Sequence, residues 1–439
     1  MTYNRIVTPR AYMDRLSFDL ANGFRTVSNY TVLNDAGGAV TFDAGQKEDL
    51  FDMRPSNFAQ IAHDTKKFYI QIDTGMSSDT VAEANFLAIL GHNFEEASAM
   101  FRLIHDDASA MTSSNSVTAV AAGTGSVAVS GLVNATQSTV TIDSGATTAE
   151  ALDGSETSIE VDDASPFTDQ IGSIISLSGK TERMKITAAD NASSPKTITV
   201  VRNVHGVGAA QTATTDTAIN FNYGDCIQPA NNGWTLITWA NDNEDNQYYR
   251  LEIIDNGGPD SNFASDVKIG SIMLGEYIDF PSSPDMSVGF DIDYDGTKID
   301  TSSGGSTFAN TSYLGSPVWA KTNPWILAPA ATENINSKNS KAYGRRKYNM
   351  NFSYVADDDL FQANMHAGHG AMIDGSDLYS QFFHKSLGSH LPFLLTIDKD
   401  NTTTPEGDYG LFRLANGGLN STQSAHRFWD TKLNLVEHW

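Results

Sequence analysis

Phe86-Leu87-Ala88-Ile89-Leu90-Gly91-His92-Asn93 is a nearly unbroken apolar run closed by a glycine turn. A run of this length bounded by turn residues fits a strand buried at the centre of a sheet. Working outward, Ala99-Met100-Phe101-Arg102-Leu103-Ile104-His105 supplies another strand, stopped by Asp106-Asp107. Upstream, Lys67-Phe68-Tyr69-Ile70-Gln71-Ile72-Asp73 alternates, with Phe68, Ile70 and Ile72 on one face. Tyr30-Thr31-Val32-Leu33 runs into the turn cluster Asn34 to Gly38. The first hundred residues thus read as short strands separated by polar turns.

The pattern then breaks. From Thr112 to Thr217 the only aromatic residue is Phe167, and Ser, Thr, Ala, Gly and Val dominate. Alternations such as Ser138-Thr139-Val140-Thr141-Ile142, with turn signals every 8–12 residues, suit a small sandwich or barrel and argue against a disordered linker. Aromatics return at Phe221, and Trp234-Thr235-Leu236-Ile237-Thr238-Trp239 resumes the style of the first segment. The simplest reading is a domain inserted into another; two consecutive domains flanking a linker domain is the alternative. After Phe280-Pro281-Ser282-Ser283-Pro284 a third unit opens. There Val288, Phe290, Ile292 and Tyr294 share a face, and Tyr348–Val355 and Trp429–Val436 repeat the alternation. Two short helices are expected, over Asp357–Ala367, where acidic residues suit a helix N-terminus, and over Asp377–Leu387.

Composition agrees. A chain of 439 residues exceeds one ordinary core and suggests about three units at roughly 100–200 residues each. Its 35 Gly and many Ser, Thr, Asn and Asp favour turns and strand ends over helix interiors. The expected fold is all-β with minor helix. A jelly-roll sandwich over 1–111 plus 226–281 is interrupted by a β domain over 112–225 and followed by a β-sandwich-like domain over 282–439.

A net charge of −25 repels phosphate backbones, so nucleic acid is excluded as the main partner; metal cations or basic proteins suit such a field better. Cys226 is the only cysteine, so no internal disulfide forms and stability must come from burial or assembly. No stretch approaches 18 apolar residues and the N-terminus carries no apolar leader, so synthesis in the cytoplasm without membrane insertion is expected.

Three stretches together resemble virion proteins of tailed bacteriophages. Phe86–Asn93, Tyr248-Tyr249-Arg250-Leu251-Glu252-Ile253 and Lys268–Glu276 are similar to successive strands of a galactose-binding-like jelly roll, and the first two flank the proposed insertion. Glu156–Phe167 with Val200–Gly208 resembles a small β module recurrent in phage structural proteins. Gly344–Phe361, Leu391-Pro392-Phe393 and Leu433–Trp439 are similar to the terminal domain of tail-tip proteins. The resemblance implies a structural component of the virion tail, of tail-tip or baseplate type, whose partners are further copies of itself and other tail proteins. A carbohydrate-binding adhesion protein contacting a host-surface glycan through the jelly roll is the alternative. The jelly roll carries no recognisable sugar-ligand set, so lectin activity does not carry over.

No constellation for catalysis stands out. There is no Gly-x-Ser-x-Gly or phosphate-binding loop, Cys226 has no basic or His neighbour, and 53 acidic residues make chance carboxylate pairs cheap, so no enzyme is expected. Asp291-Ile292-Asp293-Tyr294-Asp295-Gly296 matches the opening of a calcium loop, but the twelfth position is Ser302 and the eighth Lys298. The same residues read as an alternating strand entering an Asp-Gly turn. A structural Ca2+ at this or another acidic turn (Asp242 to Asn246, Asp398 to Asn401) stays open. His366 and His369 form a metal pair only if further donors join them. Trp234, Trp239, Tyr248 and Tyr249 either stack on a sugar or serve as core and interface residues. Arg345-Arg346-Lys347, the densest basic cluster, is expected to meet an acidic neighbour across an interface.

Overall fold

The computed structural model describes residues 7–34, 37–75, 84–111, 115–118, 127–138, 141–168, 170–204, 210–222, 225–240, 246–258, 261–293, 298–310, 345–361, 377–402, 405–415 and 417–438. The chain is mostly β, arranged in several antiparallel sheets of sandwich type.

One sheet organises the rest. Its strands run, in spatial order, Gly289–Asp293, Arg345–Ala356, Phe428–Glu437, Tyr409–Leu414, Phe393–Thr396, Arg10–Asp14, Ser271–Asp279, Phe86–His92, Gly233–Trp239 and Val129–Val133. Asn420–Ala425 adds an eleventh strand beside Phe428–Glu437. The Arg10–Asp14 strand is the joint. It pairs Arg10 with Asp279 on one side and with Thr396 on the other, so early, middle and late parts of the chain share one hydrogen-bonded surface.

That surface is buried on both faces near its middle. Leu87, Ile89, Ile237, Ile272 and Leu274 point into a core shared with a second sheet, whose strands include Ala99–Asp106, Tyr248–Asp255, Phe68–Asp73 and Tyr30–Asn34. Ala11, Met13, Phe393, Leu395, Phe412, Leu433 and Leu435 point the same way further along and form a core with Phe382 and Phe280. Tyr12, Phe86, Ala88, Leu90, Trp234, Leu236, Met273 and Tyr409 face the opposite side as a third apolar layer. A strand such as Phe86–His92 must therefore be apolar at odd and even positions alike, which is why it reads as an unbroken run.

Gly91 ends that run for a steric reason. Its φ is +69°, and a Cβ there would stand 2.4 Å from the Pro55 carbonyl oxygen. After Asp14, whose carboxylate accepts the amides of Leu16 and Ser17, the chain turns into the helix Arg15–Ala21. The same carboxylate accepts the Leu274 amide at 3.1 Å, locking the helix start to the long sheet.

The middle segment forms its own six-stranded sheet, from Thr141–Thr147 to Ala218–Asn222, around Phe167, Ile175, Ile186, Ile198 and Phe221. Its limits are narrower than the composition break suggested. Val129–Val133 pairs with Gly233–Trp239, and Ala135–Ser138 pairs with Cys226–Pro229, so both strands belong to the sheets of the surrounding sandwich. Their small-residue composition resembles the insertion, but their hydrogen bonds do not. Met100 and Ile254, on the outer face of the second sheet, join the inserted core, so the unit is docked rather than tethered.

Helix is sparse. The helix expected over Asp357–Ala367 occupies Asp357–Leu360, with three aspartates in its first turn, and the residues beyond Phe361 fall outside the description. The second is a short wide-pitch turn, Tyr379–His384, where Asp377 accepts the Ser380 amide at 2.9 Å.

Candidate functional site

The aromatic candidates divide by burial. Trp234 and Trp239 are each 1 % exposed. Their strand has a neighbour on either side and apolar layers on both faces, with the Trp234 ring 5.2 Å from that of Tyr409. An indole so placed cannot stack on a sugar or meet a partner, so of the readings open for both, packing in the core is the one their burial fits. Tyr249 is buried beside the His105 ring, and Tyr248 is half-buried, its hydroxyl accepting from Gln247 Nε2 at 3.0 Å.

The basic cluster resolves by strand alternation. Arg346 turns onto the sheet face and forks onto Glu437, with Nη2 2.8 Å from Oε1, while its backbone amide meets the other carboxylate oxygen at 2.9 Å. The guanidinium also lies 5.4 Å from the centre of the Phe412 ring. Lys347, on the opposite face, reaches Asp293 Oδ2 at 2.6 Å, and Arg345 stands across from Asp293 in the ladder. The acidic neighbours of Arg346 and Lys347 thus come from this chain, which corrects the expectation of an intermolecular contact for Arg346. The same geometry recasts the calcium-loop opening. Asp291 and Asp293 are exposed on a strand, with Asp293 engaged by Lys347, and Asp295 lies outside the described residues. His366 and His369 also lie outside them. Among the described residues no three His, Cys, Asp or Glu side chains converge as a metal site would require.

No protein-family model matches the chain, and no curated protein or solved structure matches it. The residues themselves must carry the functional reading.

Two further features are prominent. The first is a charged layer sealed between the second sheet and the inserted unit. Arg102 and Glu252 form an ion pair there with both side chains almost fully buried. Lys67 donates to Ser173 Oγ at 3.2 Å, and Lys185 donates to the Met111 carbonyl. Burial alone would raise the Glu252 carboxyl, but Arg102, Lys67 and Arg250 outweigh it and hold the group down at about 2. Burial lowers the Lys185 ammonium to about 8. Cys226 lies in this region too, its thiol pushed up to about 12 by burial, an inert packing group rather than a nucleophile.

The second feature is the end of the long sheet. Phe290 and Ile292 share one face of an alternating strand, and their side chains are 50 % and 49 % exposed. Phe290 touches the Tyr348 ring at 5.2 Å, so the apolar face continues from the core onto the outermost strand and then lacks a cover among the described residues. The hairpin that follows in the sequence, Lys298–Thr301 with Thr307–Asn310, forms its own two-stranded sheet and carries Ile299 and Phe308 on opposite faces, 64 % and 62 % exposed. Neither was singled out from the sequence, since single apolar residues in a polar hairpin give no periodic signal.

Proposed function

We propose that this chain is a structural component of a tailed-bacteriophage virion, of tail-tip or baseplate type, that assembles through its C-terminal unit. The observation that carries the assembly reading is the exposed apolar end of the long sheet, where Phe290 and Ile292 stand uncovered among the described residues. Monomeric proteins seldom leave an outermost strand apolar and uncovered, because it invites pairing with another chain. The sequence resemblance supplies the virion context, and three sheets packed through shared cores suit a rigid part better than a moving one.

Two measurements test it. Light scattering on the purified chain should show several copies per particle, and Ile292→Lys should shift the population to monomer while leaving circular dichroism unchanged. Antibody labelling of purified virions should decorate one layer of the tail. A wild-type monomer at tens of micromolar together with unlabelled tails would sink the proposal. The alternative, carbohydrate binding through the jelly roll, loses Trp234 and Trp239 to burial, while Tyr248 stays half-buried.

A further inference from the structure

On the face of the long sheet that carries Tyr12 and Trp234, a cleft of about 510 Å³ is lined by residues from early, middle and late parts of the chain. Its floor is Tyr12, Tyr277, Tyr409, Leu236 and Thr238, and its rim includes Ser130, Arg10, Lys399 and Asn401. The volume falls within the range of about 300–1,000 Å³ typical of small-molecule sites. The Tyr12 and Tyr409 hydroxyls are 3.2 Å apart, with either able to donate, so the pair keeps one hydrogen for a ligand. The Arg10 guanidinium carbon lies over the Tyr277 ring, 3.9 Å from its centre, which holds the group at the cleft wall.

Charge singles the cleft out. Acidic residues outnumber basic ones 53 to 28 in the chain, yet the described residues that line this cleft include Arg10 and Lys399 and no carboxylate. Both cations have acidic neighbours, Asp279 for Arg10 and Asp400 for Lys399. Asp279 holds Arg10 at two points, through Nε and Nη2, and Asp408 accepts the Asn401 amide at 2.6 Å, so an incoming anion shares these groups with their carboxylates. Asp400 is exposed, and an exposed pair is worth only about 0–1 kcal/mol, so an anion can displace it from Lys399. Tyrosine rings, aliphatic side chains and several hydroxyls then offer a surface for a compact body with both apolar and hydroxylated edges.

We infer that this cleft binds a small hydroxylated organic anion, of the class of sugar acids and sugar phosphates, with its anionic group at Arg10 and Lys399. The site exists only because the Arg10–Asp14 strand joins the two halves of the sheet, and each single chain presents it.

Titration calorimetry and saturation-transfer NMR on the full chain test this with glucuronate, glucose 6-phosphate, inorganic phosphate and glucose as probes. Glucuronate, glucose 6-phosphate or both should bind, and their ranking tells a carboxylate site from a phosphate site. Lys399→Gln should weaken binding about fivefold, the equivalent of one partly exposed charge contact. Ser130→Trp, at an exposed position on the rim, should abolish it by filling the cleft. Binding of glucose as tight as that of the acids would overturn the anion assignment. Binding of inorganic phosphate with no advantage for either sugar derivative would overturn the hydroxylated body. Failure of every probe, or binding unchanged in both variants, would overturn the site.

Discussion

Glu252 and Arg102 face each other in the sealed layer between the second sheet and the inserted unit, where water cannot screen or replace either partner. A buried pair of this kind adds little over an apolar pair, but removing one member leaves the other charge uncompensated, at about 3–5 kcal/mol. Glu252→Gln should therefore lower stability by about that amount at pH 7, read as a shift in urea midpoint at constant slope. The pH dependence follows from the same group. Its folded value, about 2, lies below the ordinary 4.5, so the unfolded chain binds the extra proton first. The stabilisation is complete above about pH 4.5 and drains away as pH falls toward 2. In Glu252→Gln that window should flatten, and an unchanged acid slope would show that other carboxylates govern it. None of this was legible beforehand. Arg102 and Glu252 sit in stretches that were read as strands, but a strand pattern does not say what covers the face they occupy, and here the inserted unit does.

At the scale of elements, the Arg10–Asp14 strand decides most. It is five residues long and lies among polar neighbours, so no periodic signal marked it, whereas Phe68, Ile70 and Ile72 announced their strand by alternation and are all buried. Its contact with Ser271–Asp279 is close enough to demand glycine. Asp14 pairs with Gly275, and a Cβ there would stand 2.2 Å from the Met13 carbonyl oxygen and 2.9 Å from the Arg15 amide. Both obstacles are backbone, which cannot swing aside. Gly275→Ala should cost about 1–3 kcal/mol, the usual cost of overpacking, and lower the melting temperature by several degrees in calorimetry. A variant as stable as wild type would mean that the joint is looser than its geometry indicates. The outermost strand, Gly289–Asp293, shows the converse. Its alternation was legible, but the pattern alone does not say whether an apolar face meets a cover.

For the whole molecule, the inserted sheet is an appendage with neighbouring ends. Ser138 pairs with Cys226, and Thr141 with Asn222, so the chain leaves and re-enters the sandwich at one point. Replacing residues 139–225 by Asn-Gly should close a two-residue hairpin there, and the rest should fold with its strand signature in circular dichroism intact. The excised protein should melt at a lower temperature, because Met100, Ile254 and the Arg102–Glu252 pair lose their cover. An unfolded product would mean that the insertion is an integral wall of the sandwich rather than a docked unit.

The sequence by itself determined the fold class, most of the longer strands and the existence of a compositionally distinct middle sheet. Those depend on local patterns with a period of two and on turn residues a few positions apart. Only the tertiary structure decided which strands pair, where the inserted sheet begins, that Trp234 and Arg346 turn inward, and that Tyr12 and Tyr409 share a cleft 397 positions apart in the chain. Strand pairing is set by complementarity between distant segments, and a period of two gives a strand its faces without naming its neighbour.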